Sequence, residues 1–290
     1  RYLNGTLDDL YDPMLLKDME RAVSILCEAV DTGKKIRIVG DYDIDGVCST
    51  YILLQAFERL GSDVDFEIPD RIKDGYGINE SIIEQAHADG VEVILTCDNG
   101  ISAFHQVELA KKYGMTVVIT DHHEVPLDGE KEKIPPADAV IDPKQADCPY
   151  PFPEICGAVV AYKLVQVLYA RRGVPQMEWL DLLEFAAIAT VGDVMKLQDE
   201  NRILVKYGLK KMAQTKNLGL RRLAEKNNLD LGAITAYHIG FVIGPCLNAG
   251  GRLKTAKEAL ALLRAQSEEE AERLAEELKE LNDTRKDMTE

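Results

Sequence analysis

The chain of 290 residues is short of positive charge, with 34 Lys and Arg against 50 Asp and Glu and a formal net charge of −16. Neutralising nucleic-acid phosphates calls for Lys and Arg, so this balance taken alone speaks against a nucleic-acid binder. Two features soften that. Much of the acid lies in one predicted helix, 267–282 (SEEEAERLAEELKELN), a solvated face, and several other aspartates cluster where bound cations would reverse the local field. No uncharged apolar run reaches about 18 residues, so no membrane span is expected. The N-terminus lacks the basic, apolar and small-residue succession of a signal peptide. It opens on Arg1 rather than Met, and the chain is read as a piece of a longer protein. None of the six cysteines forms a CxxC pair, which argues against a zinc ribbon or a redox motif. Cys27, Cys48 and Cys97 sit inside apolar periodic segments, so buried reduced thiols and a cytoplasmic setting are expected. Aromatic residues make up 6% of the chain, with one tryptophan. Trp179 and the tyrosines show no regular interleaving with basic residues, so no platform for stacked bases is expected. Internal repeats and low-complexity tracts are absent as well.

At 46% hydrophobic residues the chain can bury a sizeable core, in one large or two modest domains. Asp12-Pro13 reads as a helix cap followed by a first-turn proline, with a helix running to about Asp31 and Gly33 ending it. Short apolar runs then alternate with helical patterns. The runs are 36–40, 64–68, 91–97, 115–120 and 137–141, and the helical segments between them are 47–60, 79–89 and 103–113. Strands alternating with helices of about a dozen residues predict βαβ units and a buried parallel sheet. The segment 124–136 reads as a polar, Pro-rich loop. After about residue 150 the pattern turns helical, over 157–172, 178–190, 200–214, 217–227, 254–265 and 267–288. The expected fold is α/β: an open five-stranded, mostly parallel sheet flanked by helices, in a lobe 1–150, with a helical C-terminal extension, 151–290, packed on it.

The chemistry sits at the strand ends. The first strand runs into GDYDIDG (40–46), which packs Asp41, Asp43 and Asp45 into five residues ahead of a helix beginning near Val47. A helix cap needs one carboxylate; three repel one another unless cations neutralise them. The third strand ends in TCDNG (96–100) with Asp98, and the fourth in TDHHE (120–124) with Asp121, His122 and His123. Asp98 alone fits an ordinary turn. Together the clusters occupy the carboxyl ends of successive parallel strands, the edge where open α/β sheets bind ligands. Several carboxylates plus imidazole suit Mn²⁺ or Mg²⁺ rather than a thiolate-rich zinc site, and excess carboxylate suggests two ions and in-line attack at phosphorus. His87, His105 and His238, on predicted helices, read as surface or core residues.

DYDIDG, TCDNGIS and TDHHE resemble the successive motifs of the DHH phosphoesterase family. IPDRIKDGYGIN (68–79), CGAVVAYKL (156–164), ATVGDVMKL (189–197) and IGPCLNAGGRL (243–253) resemble, in order and spacing, its RecJ-type exonuclease branch. The resemblance covers nearly the whole chain. It implies that Asp43 and Asp45 ligate two metals with Asp41 as an added ligand or support, that Asp98 bridges both ions, and that His122 and Asp193 complete the set. It implies that His123 faces the scissile phosphate and that Asp121 orients a histidine. IGPCLNAGGRL invites an anion-site reading, with Gly244, Gly250 and Gly251 allowing close approach, Asn248 donating a hydrogen bond and Arg252 forking onto a phosphate. A helix-break loop with Arg252 in a structural ion pair is the plainer alternative. Arg71 and the glycines around Tyr76 form a further phosphate-facing loop or a plain turn. The segment departs from the commonest family form in carrying Cys246 where an arginine is usual, which puts substrate affinity in question.

The resemblance implies two-metal hydrolysis of single-stranded DNA from its 5′ end to mononucleotides, in recombination and repair, with repair or replication partners unspecified. It also implies that further C-terminal domains follow Glu290, which lies near the end of a long helix resembling an interdomain connector. Hydrolysis of short oligonucleotides or nucleotides is the rival enzymatic reading, and a non-catalytic replication scaffold is the rival outside enzymology. The complete set of metal-ligand matches speaks against the scaffold.

Overall fold

Strand β1 (Ile36–Val39) lies at the heart of the molecule because every residue in it is buried, and it pairs in parallel with a strand on each side. A computed structural model describes residues 4–70, 75–253 and 256–288, with Arg252 and Leu253 described by their backbone alone. The remaining sheet strands are β2 (Val64–Glu67), β3 (Val93–Cys97), β4 (Thr116–Thr120) and, after a small hairpin β5–β6 (Leu127–Asp128 and Lys131–Glu132) within the predicted polar loop, β7 (Ala139–Ile141). The sheet runs β2-β1-β3-β4-β7, and all its pairings are parallel. The expected open five-stranded sheet is therefore present.

Alternation along the strands builds two cores, one on each face. Val93, Leu95 and Cys97 of β3 join the larger core, while Ile94 joins the smaller one with Ile119, Val140 and Val39. Helices α3 (Glu80–Ala88) and α4 (Phe104–Lys112) cover the smaller core through Ile82, Ile83, Val107 and Ala110. Helices α1 (Met19–Asp31) and α2 (Ile44–Arg59) cover the other face. Each fully buried Ile, Leu or Val contributes about 1.5–3 kcal/mol of transfer free energy. The larger core continues without a break into α5 (Gly157–Arg171), α7 (Leu183–Gly192) and the last helix.

Several boundaries differ from the sequence reading. The first predicted helix is two pieces. Asp12 does cap a turn, accepting the Met14 N–H, but the turn is a 3₁₀ element of three residues, Pro13–Leu15, and α1 begins after Asp18, whose φ of 62° breaks the run. Helix α2 starts at Ile44, not near Val47, so Asp43 is its N-cap and Asp45 falls within its first turn. The predicted helix 178–190 is α6 (Gln176–Leu180) followed by α7, and α8 (Asp199–Met212) and α9 (Leu218–Lys226) follow. A short turn, α10 (Ala236–His238), runs into a π-helical turn (Ile239–Ile243) and then α11 (Gly244–Leu253). IGPCLNAGGRL is thus helix rather than loop: its glycines serve close packing, not a phosphate-cradling turn. Two helices, α12 (Lys257–Leu263) and α13 (Glu268–Asp287), end the described chain. No helix among the described residues is long and apolar enough to cross a membrane.

Candidate metal centre

The chain leaves β1 for β2 on one side and then crosses to β3 on the other, so the switch point of the sheet lies between the carboxyl ends of β1 and β3. Asp41, Asp43 and Asp45 follow β1 and Asp98 follows β3, which brings them to that point by topology alone. Histidines 122 and 123 arrive from the neighbouring β4. Asp193 arrives from the opposite direction, as the residue that ends α7.

Backbone geometry aims each side chain. Asp98 has a φ of 61°, the left-handed region that Asp tolerates better than most residues, and it turns its carboxylate back over the end of β3. Gly157, at the start of α5, leaves room for it, because a Cβ there would stand 2.8 Å from the Asp98 Cβ. The same helix start holds Asp45: the Gly157 N–H donates to its Oδ2 and the Ala158 N–H to its Oδ1, both at 2.7 Å. A carboxylate at a helix N-terminus is favoured by the unpaired amides and the dipole. Asp43 accepts the Gly46 N–H in its capping role. Buried Asn99 ties the strands together, donating to the Val39 and Cys97 carbonyls and accepting the Ile78 N–H.

The ligand-type atoms fall into three groups, each within 4.8 Å: Asp41, Asp43 and Asp98; Asp98, His122 and His123; and Asp45, His122 and Asp193. The His122 Nε2 lies 3.0 Å from Asp98 Oδ1, 3.3 Å from Asp45 Oδ2 and 4.0 Å from Asp193 Oδ2. Asp98 and His122 each belong to two groups, and so link them. Asp121 serves His123 instead: its Oδ1 lies 2.6 Å from the His123 Nδ1, while its oxygens also accept the Ile101, His122 and His123 N–H groups.

Electrostatics tests whether cations fit. Burial, followed by the charge of Asp43, pushes Asp41 up to about 7. Burial and then the charges of Asp45 and Asp43 push Asp193 up to about 7 and Asp98 well above the carboxylate range. Burial and the charge of Asp45 raise Asp43 too. Asp121 goes the other way: burial alone would raise it, but the His123 hydrogen bond and charge outweigh that and hold it below its ordinary value. Burial works against a charged His123, yet its bond to Asp121 and the surrounding carboxylates raise it to about 9. Carboxylates pushed upward together mark a site short of positive charge. A set of oxygens plus one imidazole suits hard divalent cations, so the donor set fits Mn²⁺ or Mg²⁺.

The remaining predicted residues are placed differently. Asn248 does not face a ligand with its oxygen: that atom accepts the Ile44 N–H at 2.8 Å and so satisfies the start of α2. Gly251 lets α11 press on the aspartate loop, since a Cβ there would meet the Tyr42 carbonyl at 2.4 Å. Both residues pack against the aspartate loop. Cys246 is buried, its thiol donating to Asn227 Oδ1, so a side chain at this position points into the helical packing and not at the strand ends. Arg71 lies outside the described residues, as does the Arg252 side chain. The three other histidines are accounted for structurally: His87 stacks on Tyr113, His105 pairs with Glu80, and His238 accepts the Thr235 N–H.

The sequence reading missed Tyr76 and Asp142. The Tyr76 hydroxyl donates to the Asp98 carbonyl at 2.9 Å and lies 3.2 Å from the His123 Nε2. Asp142 follows β7 at the same sheet edge, fully buried, and burial followed by the Asp121 charge raises it to about 7. Its position after the fifth apolar run was a signal equal to that of Asp98.

The fold and this cluster together define an open-sheet α/β protein with a candidate metal centre at its switch point. Residues 35–190 match the DHH family, N-terminal domain, and the chain belongs to that family. It is 40% identical over 280 residues to the single-stranded-DNA-specific exonuclease RecJ of Bacillus subtilis, covering 97% of this chain and 34% of that protein. It is 39% identical to the Haemophilus influenzae protein of the same name, covering 99% and 50%. Among solved structures it is similar to an exonuclease RecJ bound to manganese, with a TM-score of 0.83 and 35% identity over 93% of this chain and 67% of that one. The chain spans between a third and a half of the length of these two curated relatives.

Proposed function

We propose that this chain is the catalytic part of a two-metal exonuclease that hydrolyses phosphodiester bonds in single-stranded DNA, 5′ to 3′, releasing mononucleotides in recombination and repair. The observation that carries this reading is the convergence of Asp41, Asp43, Asp45, Asp98, His122 and Asp193 at one sheet edge, in overlapping groups of ligand-type atoms. The relatives that bear the exonuclease name, one of them with manganese, support it. Asp41, Asp43 and Asp98 would hold one ion, and Asp45, His122 and Asp193 the other, with Asp98 serving both. When bound, two Mn²⁺ or Mg²⁺ ions supply Lewis acidity and lower the pKa of water for in-line attack at phosphorus.

The chain's own residues do the rest. Asp121 fixes the His123 ring through Nδ1, which leaves Nε2 to carry a proton toward the phosphate oxygens. The Tyr76 hydroxyl lies 3.1 Å from the ring's Nδ1 and 3.2 Å from its Nε2 and limits the ring's swing. The amides of Gly157 and Ala158 hold Asp45 in place, so the ligand geometry exists before any substrate arrives. Arg71 and Arg252 are proposed phosphate contacts on the strength of the family motif. Residues 151–290 complete the site, through Gly157 and Asp193, rather than forming a unit apart. Six free cysteines support a reducing, cytoplasmic setting.

The test is release of mononucleotides from 5′-labelled single-stranded DNA, with duplex DNA and a dinucleotide alongside, with and without Mn²⁺. Metal-dependent release from the single strand is the expected result. Turnover confined to the dinucleotide would replace this reading with a small-substrate phosphodiesterase.

A further inference from the structure

Helices α2 and α7 bring aspartates to the metal centre at one end, and at their other ends they frame a second recess. Glu184 is the second residue of α7 and Asp193 ends that helix, so the recess lies about 14 Å along the helix axis from the metal centre. It is a cleft of about 640 Å³, a size suited to a small organic ligand. Tyr51 and Phe185, with ring centroids 4.3 Å apart, join Leu182 and Leu263 in a buried apolar floor.

Glu184 is set in that floor and is only 4% exposed. Its Oε1 accepts the Thr215 hydroxyl at 2.7 Å, and among the described residues its Oε2 has no partner. A buried carboxylate oxygen left unmet is costly, and an N–H donor on a ligand offsets that cost. The rim carries the other sign. Arg59 and Glu178 cancel, but Lys211 and Lys216 share the single carboxylate of Asp181, at 2.9 and 3.0 Å. Arg264 lines the cleft while its partner Glu58 does not. In a chain of net charge −16, this rim holds a local surplus of positive charge.

We propose that this cleft binds a free nucleoside monophosphate whose base carries an exocyclic amino group, at a site separate from the metal centre and independent of the function proposed above. The amino group donates to Glu184 Oε2, the ring lies against Tyr51 and Phe185, and the phosphate meets Lys211 and Lys216. Each part answers one feature of the cleft. A carboxylate accepts from the amino group of cytosine in the way that protein side chains read that base. A flat ring covers an apolar, aromatic floor. Lysines hold phosphate as point charges. Burial raises Glu184 to about 7, so at pH 8 it is ionised and acts as an acceptor. Nothing in line marks Glu184, one of 50 acidic residues, because its isolation arises only when α7, α8 and α9 pack around it.

The test is calorimetric titration of the chain at pH 8, without metal, with dCMP and with dUMP, which carries an oxo group where dCMP carries the amino group. One dCMP is expected to bind per chain, with dUMP about ten-fold weaker. In Glu184→Gln, a near-isosteric change, the preference for dCMP is expected to vanish, because the amide offers a donor where the carboxylate only accepted. Lys216→Ala removes a side chain that is 84% exposed, so folding is not at stake, and it is expected to weaken both nucleotides by the same few-fold factor. Equal binding of dCMP and dUMP by the parent chain overturns the proposal. So does a preference that survives in Glu184→Gln, which would place the nucleotide elsewhere, or the absence of saturable dCMP binding at millimolar concentration. Because binding is read without metal, a chain that binds dCMP but cleaves no DNA refutes the proposed function and leaves the cleft standing.

Discussion

Two clusters of charge are buried in this molecule, and they are built on opposite principles. At the switch point, Asp41, Asp45 and Asp98 lie almost out of reach of solvent beside Asp43 and Asp193, all of one sign. Between α5, α8 and the N-terminal segment, Lys163 and Glu200 are just as deeply buried but neutralise each other at 3.1 Å. Glu200 also accepts the Tyr150 hydroxyl and the Tyr11 N–H, and Lys163 donates to the Tyr11 carbonyl. The second cluster satisfies itself and pins the N-terminal segment to the helices. The first is left in deficit, and that deficit is what a divalent cation fills. A buried charge speaks for function when its compensation is missing from the chain, and for architecture when the chain supplies it.

The comparison breaks most sharply at Asp98. In Asp98→Asn, activity with Mn²⁺ should fall by about 10³-fold, equivalent to about 4 kcal/mol of barrier. Asparagine tolerates the left-handed backbone there, so the fold should persist. Without metal, the variant should be more stable than the parent chain by about 1 kcal/mol, because one repelled carboxylate is gone. The parent chain should gain about 3 kcal/mol from Mn²⁺ at a hundred times its Kd, and the variant much less. Denaturant melts with and without metal read both effects, and a less stable metal-free variant would contradict the deficit.

At the paired cluster the sign reverses. Lys163→Met should destabilise the fold by about 3–5 kcal/mol, since Glu200 is left buried and uncompensated, and Lys163→Met/Glu200→Gln should recover most of the loss. Equal destabilisation of the single and double variants in urea would show that the pair is not the source.

Glu184 sharpens the contrast, as a single buried carboxylate with one oxygen accepting the Thr215 hydroxyl and the other without a partner. Burial raises it to about 7. A carboxyl group whose folded pKa lies above its unfolded one holds extra protons in the folded state between the two values. Its contribution is therefore fully present below about 4.5 and lost as pH rises through about 7. Glu184→Gln should flatten that pH dependence by about 2 kcal/mol, as measured by urea unfolding from pH 4.5 to 8. Parallel pH profiles for the two proteins would place the titration elsewhere.

Four of the five sheet strands were legible as short, largely buried apolar runs bounded by polar turns, and the half-buried edge strand β2 by its alternation of Val64 and Phe66 with Asp65 and Glu67. The aspartates and histidines at their ends were legible for the same reason, as a strand end can be read once the strand is found. Helix starts were harder. Ile44 begins α2 within the aspartate triplet because Asp43 caps it and Asn248, 204 positions away, accepts the Ile44 N–H. IGPCLNAGGRL reads as a break from its glycines, yet it is helical because Gly251 and Gly244 must lie flat against the aspartate loop and Ile44. The glycines flanking Tyr76 marked its loop, but not the tyrosine's role, which exists only through contacts with Asp98 and His123.

By itself, the sequence determined the order of strands and helices, the family, and which residues end the strands, because hydrophobic periodicity and motif spacing are properties of the chain read in line. Only the tertiary structure decided how those residues divide their labour. It set Asp45 on the amides of α5, Asp121 behind His123, Asn248 beneath α2 and Glu184 beside Thr215 in the floor of a cleft. Those roles depend on which distant amides, carboxylates and rings come within about 3–5 Å, a consequence of helix docking that no local pattern encodes.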